Sequence, residues 1–149
     1  MSEHTADIEW RRDGRNFDVT YDRNHEWRFD SGVVVPASSA SDLFGDPTRV
    51  DPEEAFVASI SSCHMLWFLY LAAEQGSVVD SYVDRAVGHM QRDEHGVTWI
   101  TDVALRPEIA WSGEAPPGAE IESLHHRSHE RCFIANSVRT SITVEPFST

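Results

Sequence analysis

The chain has no lysine: all twelve of its basic residues are arginine. That absence excludes a phosphate-binding P-loop, a Schiff-base lysine and a lysine general base. Positive charge is scarce altogether. Against twelve arginines stand 25 Asp and Glu, a formal net charge of −13. A surface of that sign repels phosphate backbones and anionic lipid, so neither nucleic acid nor a membrane surface is an expected partner. Cysteine is scarce too, with Cys63 and Cys132 alone. Met1-Ser2-Glu3-His4 runs into a polar segment with no secretory pattern. Two thiols without an export signal point to a reducing, cytoplasmic setting, where a disulfide is transient rather than structural. The bland alternative is that both are small buried hydrophobes.

Long apolar runs are also lacking, with one exception. Residues 51–75 read as a single helix, carrying no formal charge from Ala55 to Ala73. Asp51 is placed to cap it, Pro52 suits its first position, and Glu54 completes a capping box. Glu53 and Glu54 suit the positive helix end, and Gly76 is a natural stop. The run is about the length of a membrane span. His64 and three serines inside it, and the acidic start, favour a core helix wrapped by sheet. On that reading almost every face of the helix is buried.

At 149 residues the chain is expected to form one domain, residues 1–149. Ahead of the helix, strands are expected over Thr5–Arg11, Phe17–Tyr21, His25–Phe29 and Val33–Val35, the last ended by Pro36. Ala37–Arg49 is a turn-rich loop. Beyond Gly76, alternation predicts a strand over Ser81–Arg92, a turn at Asp93–Gly96 and a returning strand over Val97–Trp111, with Pro107 at an edge or bulge. A second helix over Ala119–Cys132 and a last strand over Arg139–Val144 follow. The fold class is α+β, a largely antiparallel sheet with helices gathered on one side.

Cys63 lies near the middle of the long helix, among Phe56, Ser59, Ile60, Leu66 and Trp67. Burial alone raises a thiol pKa and makes the thiol inert. The helix dipole fades within the first turn, so a reactive Cys63 needs a cation from elsewhere, and arginine is the only permanent one available. Cys132 ends the other helix, where a side chain swings out more readily than from a helix centre. His125, His129 and Cys132 follow i, i+4, i+7 on one helical face. With Cys63 they offer an alternative, a Cys₂His₂ zinc site. His64 points about 100° around the helix from Cys63 and reads as a satisfied core histidine.

Asp51-Pro52-Glu53-Glu54 leading a small-residue helix to Ser62-Cys63, followed by His129-x-x-Cys132 before a closing strand, resembles the OsmC / organic hydroperoxide resistance family. The resemblance runs from the first strands to the C-terminus. It implies an OsmC-like α+β fold, with the sheet packed on the central apolar helix, in an intertwined homodimer. It implies reduction of organic hydroperoxides, and of hydrogen peroxide less efficiently. Cys63 would attack and become a sulfenic acid, Cys132 would resolve it as a disulfide, and a dithiol or lipoyl-type reductant would reset the pair. No metal or organic cofactor is implied. By motif, Glu53 matches the family glutamate that holds an arginine, and Arg23 the arginine that activates the cysteine, with Arg28 as the alternative. Glu53 and Cys63 are ten residues apart, roughly 15 Å along a straight helix, so the arginine must span them or the site must draw on a dimer interface. The chain departs from the hydroperoxide-resistance branch at Pro47–Asp51, where that branch is glycine-rich, and at Phe133, where it has proline. The competing class is a non-catalytic stress-related domain binding a small hydrophobic ligand or a metal at the same cleft.

Overall fold

The computed structural model describes residues 1–145. The last strand prediction ends within that range. By its internal contacts the chain divides into two compact units, one from Met1 to Ala55 and one from Phe56 onward.

The first unit is an antiparallel sheet of β1 (Ala6–Glu9), β2 (His25–Phe29) and β3 (Val34–Ala37), with β2 central. Trp27 on β2 faces Ile8 and Val35 across the two ladders. Pro36 does not end β3 as expected. It sits within this edge strand, where a missing N–H removes no ladder bond, and its carbonyl accepts from the Val50 N–H. Phe17–Tyr21 is not a strand. The Asp18 carboxylate accepts from both the N–H and the hydroxyl of Thr20, and the Tyr21 N–H bonds back to the Asp18 carbonyl. A local side-chain bond of that kind offers the backbone a turn in place of a ladder. Phe17 and Tyr21 pack instead with Trp10, ring centroids 5.4–5.7 Å apart. The loop to the first helix is tight at Gly45, where an added Cβ would stand 1.5 Å from the Ser39 carbonyl oxygen.

Helix α1 (Pro52–Glu74) starts and stops where expected. The Glu54 N–H donates to Asp51 Oδ1 at 2.7 Å, and the Asp51 N–H donates to Glu54 Oε2 at 3.3 Å, a complete capping box. Gly76, at φ +82°, takes the left-handed turn that ends the helix, and the Ser77 N–H reaches the Ala72 carbonyl.

Within the second unit, the two long strands expected after α1 are each broken in two. Ser81–Arg92 becomes β4 (Val79–Asp84) and β5 (Val87–Arg92). Val97–Trp111 becomes β6 (Thr98–Leu105) and β7 (Pro107–Trp111). β4 pairs with β7 and β5 with β6, both antiparallel, so the hairpin splits into two sheets. Asp84 holds the break: its carboxylate accepts the Arg106 N–H at 2.6 Å and the Ser61 hydroxyl of α1. Pro107 opens its strand, a position where proline is tolerated. The Asp93–Gly96 turn forms as expected, with Asp93 Oδ1 accepting from the N–H groups of His95 and Val97. Helix α2 (Gly118–Arg131) follows, and β8 (Ser141–Val144) lies parallel to β6. The architecture is α+β and antiparallel-rich, with one parallel pair.

Two apolar clusters flank α1. Ile60 packs with Val103 and Leu105 of β6. Two turns on, Phe68, Leu71 and Ala72 pack with Leu124 of α2 against β4 and β7. The expectation that almost every face of α1 is buried is corrected. Only one stripe is buried, Ile60, His64, Phe68, Leu71 and Ala72, a recurrence at one-turn spacing. On the opposite face Leu66 and Tyr70 stay 60% and 56% exposed. The apolar count of a helix measures what must be covered, not whether its own chain covers it.

Candidate functional site

The site is built where α1 passes the end of α2. Cys132 is the residue after the last turn of α2, with extended backbone (φ −65°, ψ 112°). Its carbonyl accepts from the N–H and side-chain amide of Asn136, both at 3.0 Å, and its Sγ accepts the Ala135 N–H at 3.3 Å. Cys132 does not swing out as a helix-end side chain could. It is fully buried, held by the chain folding back over it. Neither cysteine is in a disulfide, and the Cys63 thiol is a close neighbour of the Cys132 thiol. Burial, and then the neighbouring Cys63 thiol, push the Cys132 thiol up to about 11. The Ala135 N–H works against this, because a donor aimed at sulfur favours the thiolate.

Cys63 is half-buried and opens onto a cleft of about 640 Å³. Leu66, Trp67 and Tyr70 of α1 form one wall, and Phe133 and Ile134 beyond α2 the other. Ser59 and Ser62 supply hydroxyls, but that of Ser59 donates to the Phe56 carbonyl at 2.7 Å. Among the described residues one charged side chain lines the cleft, Arg131, whose guanidinium lies over the Trp67 ring at 5.5 Å.

Behind the cysteines, His64 lies on the buried stripe between Ile60 and Phe68. Its Nε2 is 3.0 Å from His125 Nδ1, and the two rings stack with centroids 5.3 Å apart. His125 also packs on Phe68, at 4.4 Å. Burial, with repulsion from His125 and His129, depresses the His64 pKa to about 3. Burial depresses that of His125 to about 4, against the pull of Asp84. Both rings are therefore neutral at neutral pH. His64 is a core histidine as expected, but only half satisfied, since its buried Nδ1 has no partner among the described residues.

The zinc arrangement does not assemble. Among the described residues no three His, Cys, Asp or Glu side chains are grouped to hold a metal ion. Cys132 leaves the helical face by ending the helix, and His125 turns inward onto Phe68 and His64.

Of the four candidate residues, Cys63 and Cys132 meet within the second unit, while Arg23 and Glu53 belong to the first. Arg23 donates to the carbonyls of Tyr21 and Val19 at 2.7 and 2.8 Å and lies over the Tyr21 and Phe44 rings. Arg28, the alternative, is ion-paired with Glu9 and Glu26. Among the described residues Arg23 and Glu53 do not pair with each other. Arg131 was not singled out in sequence. Its only local signal is adjacency to Cys132, because α1 and α2 are brought together by tertiary packing.

Two neighbouring thiols, one of them lining an apolar cleft, define a dithiol site on an α+β scaffold. The chain belongs to the OsmC-like protein family, whose profile matches residues 45–146. It is 45% identical to an OsmC-like protein of unknown function from Vibrio cholerae, at a TM-score of 0.94, covering 99% of this chain and 100% of that one. The fold is shared with an organic hydroperoxide resistance protein from Legionella pneumophila, 18% identical at a TM-score of 0.73 over 98% of this chain and 96% of that one. It is also shared with the organic hydroperoxide resistance protein OhrB of Bacillus subtilis, 17% identical at a TM-score of 0.70 over 98% of each chain. Comparison with curated proteins finds no match.

Proposed function

We propose that this protein is a thiol-dependent peroxidase that reduces organic hydroperoxides, and hydrogen peroxide less efficiently. The observation that carries the reading is that the Cys63 and Cys132 thiols are neighbours beside an apolar cleft. The Cys63 thiolate attacks the terminal oxygen of R–O–O–H. The O–O bond breaks, the alkoxide takes a proton and leaves as R–OH, and Cys63 becomes a sulfenic acid. Cys132 then attacks the Cys63 sulfur. An S–S bond forms, the S–O bond breaks, and hydroxide leaves with the Cys132 proton as water. An external dithiol, of lipoyl or similar type, returns two electrons and restores both thiols.

In this reading Arg23 activates Cys63 and Glu53 orients Arg23, as the family resemblance implies. Exposed Leu66, Tyr70 and Phe133 around the cleft support a homodimer in which a second copy supplies the missing wall. Light scattering on wild type and on Tyr70→Asp tests it, with a dimer expected for the first and dissociation for the second. Two free thiols suit a reducing, cytoplasmic setting.

The deciding experiment is mass spectrometry of the reduced protein after one equivalent of cumene hydroperoxide, beside a Cys132→Ser sample. The wild type is expected to lose two hydrogens, and the variant to gain one oxygen on Cys63. An unchanged mass in both means that Cys63 is inert, and the cleft then serves ligand binding without turnover, the reading its size and apolar lining would favour.

The raised pKa of Cys132 adds a kinetic signature. Its thiolate fraction grows about tenfold per pH unit below about 11. Disulfide formation, followed after a single turnover, is therefore expected to accelerate steadily from pH 7 to 10. A flat profile would mean that Cys132 is not the resolving group.

A further inference from the structure

We infer that His64 and His125 are positioning residues for disulfide formation: their hydrogen bond sets α2 against α1 so that the buried Cys132 thiol lies beside Cys63. The inference rests on the reading of Cys132 as the resolving thiol. Each ring stands close in sequence to one of the two sulfurs. His64 follows Cys63 on α1, and His125 lies seven residues, about two turns of α2, ahead of Cys132. Cys132 does not reach Cys63 by a swing of its own side chain, because it is fully buried and the Ala135 N–H is aimed at its sulfur. Where that sulfur stands is therefore decided by where α2 lies.

Apolar packing does not decide this closely. Phe68, Leu71 and Ala72 of α1 meet Leu124 of α2 through contacts that have no preferred direction. Side-chain polar links are directional, and among the described residues three join the two helices or their ends. Glu74 faces Arg127 at 3.6 Å, and the Gln75 side-chain amide donates to Glu120 at 2.6 Å. Both lie at the exposed far end of α1, roughly 16 Å along the helix from Cys63. The third is the bond between His64 Nε2 and His125 Nδ1, 3.0 Å long, at the level of Cys63 and with His64 fully buried. Its chemistry is exacting. Two neutral imidazoles share one proton across the bond, so one nitrogen presents a hydrogen and the other a lone pair. A buried N–H without an acceptor is rarer than a buried acceptor without a donor. That assigns the bridging hydrogen to His64 Nε2 and leaves its unpartnered Nδ1 as a bare acceptor. Such a bond fails when one ring slides by about an ångström. The unpartnered nitrogen is a cost that a leucine in the same place would not carry, so stability alone does not account for the pair.

The test separates attack from resolution. Reduced protein is mixed with dipyridyl disulfide, whose thiopyridone product is coloured. The Cys63 thiolate attacks one sulfur of the reagent and releases the first thiopyridone, leaving a mixed disulfide on Cys63. Cys132 then attacks the Cys63 sulfur, closes the protein disulfide and releases the second. In His125→Leu the first release is expected to keep the wild-type rate and the second to slow about a hundredfold, the scale of an ångström of misplacement. His64→Leu is expected to do the same, and the double variant to be no slower than either, since all three lose the same bond. His125→Asn, whose side-chain oxygen stands where Nδ1 stood, is expected to recover part of the rate. Equal rates of the second release in wild type and His125→Leu, equal slowing of both releases, or no recovery in His125→Asn overturns the inference. So does failure of both leucine variants to fold, since the bond would then serve the fold and not the thiols. The same proteins are then given one equivalent of cumene hydroperoxide. Should no hydroperoxide be consumed while the two pyridyl steps separate as expected, the peroxidase reading fails and the positioning role stands. Should wild type release one thiopyridone only, Cys132 is not a resolving thiol and the inference falls with it.

Discussion

The two faces of α1 are alike in apolar character and opposite in fate. One buries Ile60, His64, Phe68 and Leu71 beneath two sheets and α2, and the other leaves Leu66 and Tyr70 in the open. Cys63 and Trp67 lie between them, half-covered. The difference separates two uses of apolar surface. On the buried face it holds the domain together. On the open face it is left uncovered, and Cys63 sits at the boundary, half-buried and opening onto the cleft.

That contrast can be broken most severely at Phe68. The ring is fully buried and packs with Tyr82, Trp111 and His125 at centroid distances of 5.5, 6.1 and 4.4 Å. Phe68→Ala is expected to cost about 3–5 kcal/mol in denaturant unfolding. Leu66→Ala, on the open face, is expected to stay within about 0.5 kcal/mol. Equal costs would mean that the two faces are not distinct in solution.

Acid sharpens the comparison through the stacked pair of His64, on the buried stripe, and His125 of α2. His64 and His125 have folded pKa values of about 3 and about 4, below the unfolded value near 6.5. The unfolded chain therefore binds more protons between those limits, and stability must fall as pH drops below about 6.5. The slope is expected to reach up to about 1.4 kcal/mol per pH unit for each histidine. His64→Leu is expected to remove one share of it. A stability curve unchanged between pH 7 and 5 would place both rings in water.

A smaller effect is expected where the sheet approaches the helix. A Cβ at Gly88 on β5 would come within 2.6 Å of a Val57 methyl on α1. Valine is stiff at χ1 and cannot easily turn away. Gly88→Ala is expected to cost about 1–3 kcal/mol, and a Val57→Ala change in the same chain to recover part of it. Additive losses would show that the two do not meet.

What could be read from the sequence was local. The Asp51–Glu54 capping box, the stop at Gly76, the Asp93–Gly96 turn and strand His25–Phe29 each depend on neighbours a few positions away, and each formed where expected. The Asp18–Thr20 turn is equally local, but the same five residues also read as a short strand, and the side-chain bonds of Asp18 decide for the turn. Other features were set by distant residues. The break dividing two long strands into four depends on Asp84 capturing an N–H 22 residues away. Cys63 and Cys132 stood out by scarcity and motif, while the burial of Cys132 and the presence of Arg131 at the cleft came only from α2 docking on α1. One error was of another kind. A charge-free run predicts burial of almost every face, and composition cannot distinguish a face covered by its own chain from one left open.

Asp84 has one further consequence. Its two oxygens tie the Arg106 amide to the Ser61 hydroxyl, two residues from Cys63. That amide can exchange its hydrogen with solvent deuterium only when the carboxylate lets go, and the carboxylate is steadied by the centre of α1. A single backbone position at the junction of two sheets therefore acts as a remote gauge of the helix that carries the thiol. Its exchange rate, compared between reduced and peroxide-treated protein, would register movement at Cys63 without any label placed near the sulfur.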